Sequence, residues 1–229
     1  MKKLIFLTLW VALIPIWTIS QDVCMAYLPE EGTKLTYLNF DKKGKQTSTN
    51  SIQVTSVETK GDTTYYKVYQ LISTGKKKDD MENDMVYKCS GNTFVVDMNS
   101  VLNPEMMKSY KDASLNITTN HMVIPSKLEP GMELEDGEFN MTANIEYITT
   151  NISARSFYRK VEAVEEITTP AGRFVAFKIK GYIESKIAFM RFAYGTTEWY
   201  VQNLGIVRSE TYDKKKNLMG YSELQKIEK

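Results

Sequence analysis

The stretch VEAVEEITTPAGRFVAFKIKGYI, residues 161–183, decides the fold. Val175, Phe177 and Ile179 alternate with other residues at a period of two, which is typical of a half-buried β-strand. Thr169-Pro170-Ala171-Gly172 separates this strand from the preceding one. Proline fixes φ at the second turn position and glycine tolerates positive φ at the fourth. The stretch therefore predicts a β-hairpin.

The rest of the chain repeats this pattern. Alternating segments separated by turn residues predict about ten to twelve strands; Phe139–Ile152 is expected to be one long strand, and Asp41–Gly44 and Asp213–Asn217 are expected to be turns. Asn103-Pro104 predicts a helix start, so Glu105–Lys111 would form one short helix. We expect an all-β fold: a single antiparallel meander curled into a barrel or half-pipe.

The N-terminus has the pattern of an export signal. Two lysines precede an apolar run over residues 4–17, and small residues lie at the positions before a cleavage after Ser20. The alternative is an uncleaved anchor, but the apolar run is short for a membrane span. We therefore expect a signal peptide over residues 1–20 and a single all-β domain over 21–229. The mature chain would have no transmembrane span and would be exported to a periplasmic or extracellular location.

The chain has two cysteines, Cys24 and Cys89. Lipid attachment at Cys24 is disfavoured, because Asp22 lies where small or apolar residues are needed. In an oxidising compartment an even cysteine count favours a disulfide. Closing a loop of about 65 residues would contribute about 4 kcal/mol. The alternative is two free thiols.

The charge balance excludes some classes of partner. Without the two lysines of the leader, 29 basic residues become 27 against 28 acidic ones, a net charge of about −1. A nucleic-acid-binding protein needs a basic surface, so nucleic acid is not expected as a partner. The balance also gives no reason to expect binding to an anionic membrane surface.

Residues with catalytic or metal-binding chemistry are scarce. His121 is the single histidine, whereas metal sites and activated nucleophiles usually need histidine placed by other groups. Glu165 and Glu166 would point to opposite faces of a strand, which prevents them from acting as an acid/base pair. We expect structural roles for both, one in a buried ion pair with Arg155, Arg159 or Arg173. No catalytic, cofactor-binding or metal site is predicted, and an enzyme is the least favoured class.

Aromatic residues are the most suggestive feature of the predicted strands. In a curled sheet they can line an apolar cavity or simply fill the core, and both interpretations stay open. The residues are Tyr65, Tyr66, Tyr69, Phe94, Tyr147, Phe157, Tyr158, Phe174, Phe177, Trp199 and Tyr200.

Four segments carry a family resemblance: YLPEEGTKLTYLNFDKKGK, VYKCSGNTFVVDM, VEAVEEITTPAGRFVAFKIKG and TEWYVQNLGIVRSETYDKKKNLMGYSEL. In this order they resemble the TapB family of exported envelope proteins. The matching motifs are Pro-Ala-Gly-x-Phe at 170–174, the Trp199-Tyr200 strand and Gly-x-Val-x-Ser-Glu at 205–210. The resemblance implies an exported β protein and supplies neither an activity nor catalytic residues.

Two functions follow from these observations. The first is a non-enzymatic envelope protein that binds an apolar or amphipathic small molecule, such as a lipid-like compound, in a curved sheet. The alternative is a structural or protein-interaction module with an envelope protein as partner.

Overall fold

A computed structural model describes residues 27–76, 80–101, 107 and 110–229. These residues form a 14-stranded antiparallel sheet, so the predicted all-β class is confirmed and the strand count exceeds the prediction. The strands are β1 (Lys34–Asp41), β2 (Gln46–Lys60), β3 (Thr63–Ser73), β4 (Met81–Ser90), β5 (Thr93–Val96), β6 (Ser114–Asn120), β7 (Met122–Pro125), β8 (Glu133–Leu134), β9 (Gly137–Ile145), β10 (Ile148–Thr169), β11 (Gly172–Ile187), β12 (Met190–Val201), β13 (Gly205–Tyr212) and β14 (Leu218–Glu228). A 3-10 turn covers Met98–Val101. The predicted helix at 105–111 lies largely outside the described residues, as do the leader and Cys24.

The sheet curls until its two ends nearly meet. The strand order is β6-β9-β10-β11-β12-β13-β14-β1-β2-β3-β4-β5-β7. The short strand β8 is outside this order and pairs with β10. The end strands β6 and β7 are consecutive in the chain, with only His121 between them. The chain therefore passes directly from one end of the sheet to the other, which makes the sheet a nearly closed barrel.

Close contacts hold the seam where β7 lies beside β9 and β10. Arg159 of β10 donates from Nη1 to the carbonyl oxygens of Val123 and Glu135, each at 3.4 Å. A Cβ at Gly137 would lie 2.8 Å from the Cβ of Met122, so this approach requires glycine. Closure of the seam thus depends on glycine at position 137 of β9, which has no side chain to clash, and on the buried guanidinium of Arg159 in β10.

The predicted hairpin is formed by β10 and β11. Thr169 pairs with Gly172 across the turn, and Gly172 has the expected positive φ, at 144°. The backbone N–H of Ala171 donates to the carbonyl oxygen of Leu224 at 3.4 Å. The hairpin end is therefore attached to β14, which lies three strands beyond β11 in the sheet order.

The prediction of one strand over Phe139–Ile152 is wrong. A two-residue turn at Glu146-Tyr147 divides it into the end of β9 and the start of β10. Glu146 adopts a left-handed φ of 49°, a conformation that usually calls for glycine or asparagine. Neither residue is a typical turn former, so the strand-like pattern of the sequence continues across this position without a break.

Two buried clusters form most of the core. The first cluster contains side chains from two groups of strands: β4, β5 and β7 at one end of the sheet order, and β8, β10, β11 and β12 towards the other. Contact between these two groups requires the sheet to curl. Its buried members are Tyr27, Cys89, Phe94, Ile124, Leu128, Leu134, Val161, Ile179 and Tyr200. The second comprises Leu35, Tyr37, Ala176, Trp199, Val207 and Leu224.

Candidate functional site

A cavity of about 310 Å³ lies among strands from both halves of the sheet. Its size is at the lower end of the range for small-molecule sites. The apolar part of its lining comprises Leu28, Leu35, Ile52, Phe94, Val96, Met122, Ile124, Leu204 and Ile206. The polar part comprises Asn50, Gln70, Glu198, Arg208, Ser209 and Ser222 together with the phenols of Tyr27, Tyr37, Tyr87 and Tyr200.

Glu198 and Tyr200 provide the most distinctive polar group in this lining. They are two residues apart on β12, so the strand period places both on the same face. The Tyr200 hydroxyl donates to Glu198 Oε2 at 3.0 Å. Burial raises the pKa of Glu198 and, more strongly, that of Tyr200. Both residues therefore favour their neutral forms more than they would in water.

Arg159 is the positive charge that acts on this pair. It is 2% exposed, and its field lowers the pKa of Glu198 against the larger effect of burial. Its Nη2 has no hydrogen-bond partner among the described residues. A Cβ at Gly181 on β11 would lie 3.0 Å from the Arg159 Cγ, so glycine makes room for the arginine. The arginine thus closes the seam and biases the Glu198–Tyr200 pair.

The other phenols of the lining are neutral hydrogen-bonding groups. Burial raises the pKa of Tyr27 to about 12 and that of Tyr87 to about 12. The Tyr27 hydroxyl donates to the carbonyl oxygen of Pro125 at 3.2 Å. On the amide side, Gln70 Nε2 donates to Asn50 Oδ1 at 3.1 Å. The wall therefore offers uncharged donors and acceptors beside apolar surface.

The charge of Arg208 is already neutralised. Its guanidinium lies 2.8 Å from carboxylate oxygens of Glu210 and Glu223. It also lies over the Tyr221 ring, 4.6 Å from the centroid. Burial, the largest single effect, lowers the pKa of Arg208, but the hydrogen bonds that it donates to the carboxylates of Glu210 and Glu223, together with their charges, raise it overall. The network leaves no free cation on this part of the described wall.

The two glutamates predicted to be structural lie away from the cavity. Glu165 accepts a 2.8 Å hydrogen bond from the Trp199 indole N–H and lies 3.2 Å from Lys178 Nζ. Glu166 pairs with Arg173 at 2.5 Å. This second pair is exposed, so the prediction of a buried ion pair is wrong.

His121 and Cys89 also lie in structural positions. His121 Nδ1 is 3.3 Å from the Met98 backbone N–H and 3.4 Å from Asp97 Oδ1. A neutral imidazole can accept from Met98, whereas a protonated one can donate to Asp97. Cys89 is buried in the first core cluster. Its predicted partner, Cys24, lies outside the described residues, so the disulfide stays a prediction.

The aromatic residues divide between both interpretations. Phe94 and Tyr200 line the cavity, while Tyr66 and Phe177 pack against the core. Trp199 is buried but is absent from the lining. Sequence reasoning missed the polar residues of the wall, among them Glu198. The sequence did contain a signal for this pair: in the TTEWYVQ strand, the acidic Glu198 is followed two positions later by Tyr200.

A wider groove of about 520 Å³ lies between β11, β12 and the 213–217 turn. Its lining includes Lys180, which pairs with Glu162 at 2.8 Å, and the half-exposed Tyr182. The lining also includes the exposed Lys214 and Lys216. The 310 Å³ cavity, in contrast, is lined by several core residues from both halves of the sheet, so we take it as the candidate site. Within the described part of the chain, no three metal-ligating side chains gather. No helix in that part is long and apolar enough to cross a membrane.

The fold and the cavity define a class of protein: a nearly closed antiparallel β-barrel with a mixed apolar and polar interior. The chain belongs to the DUF3108-like family, whose model matches residues 30–224. The match supports the expected membership of an uncharacterised family, but the TapB name is not confirmed. No curated protein matches the chain.

Two solved structures share the fold. One is a Bacteroides fragilis protein described as exported, with a YmcC-like fold; it is 25% identical, with a TM-score of 0.70 over 90% of this chain and 100% of that one. The other is a Parabacteroides distasonis protein described as a lipoprotein; it is 23% identical, with a TM-score of 0.71 over 90% of this chain and 99% of that one. The agreement over nearly the whole of both chains shows that the barrel is a shared fold.

Proposed function

We propose that this protein is a non-enzymatic protein of the bacterial envelope that binds a small amphipathic molecule in its barrel. The observation that carries the proposal is the 310 Å³ cavity, whose wall combines aliphatic and aromatic side chains with the Glu198–Tyr200 pair. Apolar walls with a few placed polar groups are characteristic of small-molecule sites.

The chemistry of the wall narrows the ligand class. The phenols favour their neutral forms, the pKa of Glu198 is raised, and Arg208 is paired with two carboxylates. Burial of a charged ligand group costs its hydration, and Arg208, the arginine in this lining, is already paired with two carboxylates. We infer a ligand with an apolar body and one uncharged polar end, such as a hydroxyl or amide.

An envelope location is supported by the signal peptide predicted over residues 1–20 and by similarity to one protein described as exported and another described as a lipoprotein. Outside the cytoplasm, a barrel with an apolar interior could hold a compound that is poorly soluble in water. Cell fractionation is expected to recover the protein from the envelope or the medium, and recovery from the cytoplasm would contradict this part of the proposal.

Ligand binding is tested with a cavity-filling variant. We expect native mass spectrometry of the purified protein to reveal a co-purified small molecule, and the neutral dye Nile red to compete with it. Ser209→Leu adds a side chain to the wall and is expected to weaken dye binding by about tenfold or more.

Ser51→Leu is the matched control. Ser51 lies on β2 between the wall residues Asn50 and Ile52, so the strand period directs it to the opposite face. It is expected to leave dye binding unchanged. Equal binding by both variants, with no co-purified molecule, would contradict the cavity proposal and favour a protein-interaction module.

A further inference from the structure

Large apolar side chains are exposed on two neighbouring turns at one end of the sheet. The turn between β9 and β10 exposes Ile145, Tyr147 and Ile148, and the turn between β11 and β12 exposes Ile187, Phe189 and Met190. Tyr147 is fully exposed and Phe189 is 94% exposed. We call these six residues the apolar tips. Exposed apolar groups concentrated in one place mark an interaction surface.

The second turn lies against β10, and the first projects beyond it by about four residues, or about 13 Å of strand. Ile152 of β10 pairs with Ile187 of β11, and the Ala188 backbone N–H donates to the Asn151 carbonyl oxygen at 2.9 Å. The tips are therefore two adjacent hairpin ends that project from the same end of the sheet to different extents.

Both turns depart from ordinary turn chemistry. Glu146 and Ala188 adopt left-handed φ values of 49° and 53° without glycine. In both turns the following residue is a large aromatic, where hairpins normally have small polar residues. Local rules are most often broken at functional sites, so these aromatic apices require an explanation beyond turn formation.

A belt of charge lies directly behind the second tip. Lys186 and Arg191 are paired across the hairpin, one position behind Ile187 and Met190. Their side chains are 51% and 64% exposed, whereas Glu184, which binds both, is 16% exposed. The charge that the belt presents to its surroundings is therefore positive.

We propose that the apolar tips insert into the interfacial layer of a phospholipid bilayer, with Lys186 and Arg191 beside the lipid phosphates. Aromatic and aliphatic side chains partition into this layer, and basic side chains bind phosphate at its surface. This proposal rests on the tips alone and is independent of the cavity.

A protein partner fits these features less well. The apices are convex, whereas protein interfaces bury their anchoring residues in complementary pockets. A symmetric contact with a second copy through the tips would bring two exposed basic belts together, which is unfavourable.

Glu146, between Ile145 and Tyr147, carries a negative charge that disfavours binding to anionic lipid. Insertion is therefore driven by apolar contact, and Glu146→Gln is expected to strengthen binding to anionic vesicles.

The test is flotation of the purified protein with vesicles of phosphatidylcholine, alone or mixed with phosphatidylglycerol. The wild type is expected to float with both. Tyr147→Ser combined with Phe189→Ser is expected to lower the partition coefficient by at least about tenfold. Val175→Ser combined with Met219→Ser is the control, because both residues are exposed apolar groups away from the tips.

A second readout locates the tip within the bilayer. Phe189→Trp is expected to be quenched by brominated lipid beyond the quenching of the wild type, whose Trp199 is buried. Failure of the wild type to bind either vesicle would overturn the proposal, as would equal loss of binding in the two double variants. So would capture of a soluble protein through Tyr147 and Phe189 in place of lipid. Nile red binding by the tip variant shows separately whether the cavity is intact.

Discussion

At the scale of single residues, Glu165 shows how an apparent candidate acid becomes a structural group. It accepts a hydrogen bond from the Trp199 indole N–H and forms an ion pair with Lys178. These contacts lower its pKa, with the Trp199 hydrogen bond as the largest cause. A general acid at neutral pH needs a raised pKa, so the environment of Glu165 favours a permanent carboxylate that connects β10 to β12.

Replacing Glu165 by glutamine is expected to lower the free energy of unfolding at neutral pH by about 0.5–1 kcal/mol, because the charge-assisted hydrogen bond is weakened. This figure is small because the Glu165 side chain is 39% exposed and solvent screens its ion pair. Urea unfolding followed by Trp199 fluorescence provides the measurement. Glu166→Gln, which breaks only the exposed pair with Arg173, is the control and should have little effect.

The effect of Glu165 should depend on pH. Its pKa is lower in the folded state than the ordinary 4.5 expected in the unfolded chain. Its stabilisation is therefore present above pH 4.5 and is lost as the pH falls through the folded-state pKa. The difference between the wild type and Glu165→Gln should shrink between neutral pH and about pH 3. A difference that grows on acidification would contradict this assignment.

At the scale of elements, two turns use the same hydrogen-bonding device. Asp41 Oδ1 accepts the backbone N–H groups of Lys43 and Lys45 at 2.8 and 2.9 Å. Asp213 Oδ1 accepts those of Lys215 and Asn217 at the same distances. The sequence predicted both turns because an aspartate begins each one.

The two turns differ in the residue that adopts a left-handed backbone conformation, with positive φ. Gly44 has a φ of 76°, and Lys216 occupies the corresponding place with a φ of 63°. Lys216→Gly is expected to raise the free energy of unfolding by about 0.5–1 kcal/mol, because glycine removes the strain of the left-handed conformation. Gly44→Lys should produce a loss of similar size. Thermal unfolding of both variants tests the pair, and a less stable Lys216→Gly would contradict the explanation.

At the scale of the whole molecule, closure of the barrel depends on contacts between residues distant in sequence. β6 and β7 are continuous in the chain, yet they pair with β9 and β5 at opposite ends of the sheet. Arg159 and Gly137 hold the seam from β10 and β9. These positions carry no local signal, because each is defined by a partner on another strand.

The predicted disulfide would act at this scale. Cys24→Ser is expected to lower the free energy of unfolding by about 2–4 kcal/mol, because the unfolded chain loses a constraint. A reductant should lower the stability of the wild type to the same level and leave Cys24→Ser unchanged. Thiol titration of the unfolded, unreduced wild type should find no free thiol. Two free thiols would rule the bond out.

Local chemistry made much of the fold predictable. The period of two in β11, the Pro-Ala-Gly turn and the aspartate turns identified an antiparallel β protein from residues that interact with near neighbours. The same reasoning failed at Glu146-Tyr147, where a turn forms without turn-forming residues. There, the pairing of β9 with β6 and with β10 overrides local preference.

By itself, the sequence determined the all-β class, the main hairpin turns and the absence of familiar catalytic motifs, because each depends on residues close together in the chain. Only the tertiary structure decided which aromatics line the cavity, that Glu198 and Tyr200 lie beside Arg159, and that two apolar turns project from the same end of the sheet. These features depend on how far the sheet curls. That curvature is set by bulges, close glycine contacts and cross-strand packing among residues far apart in sequence.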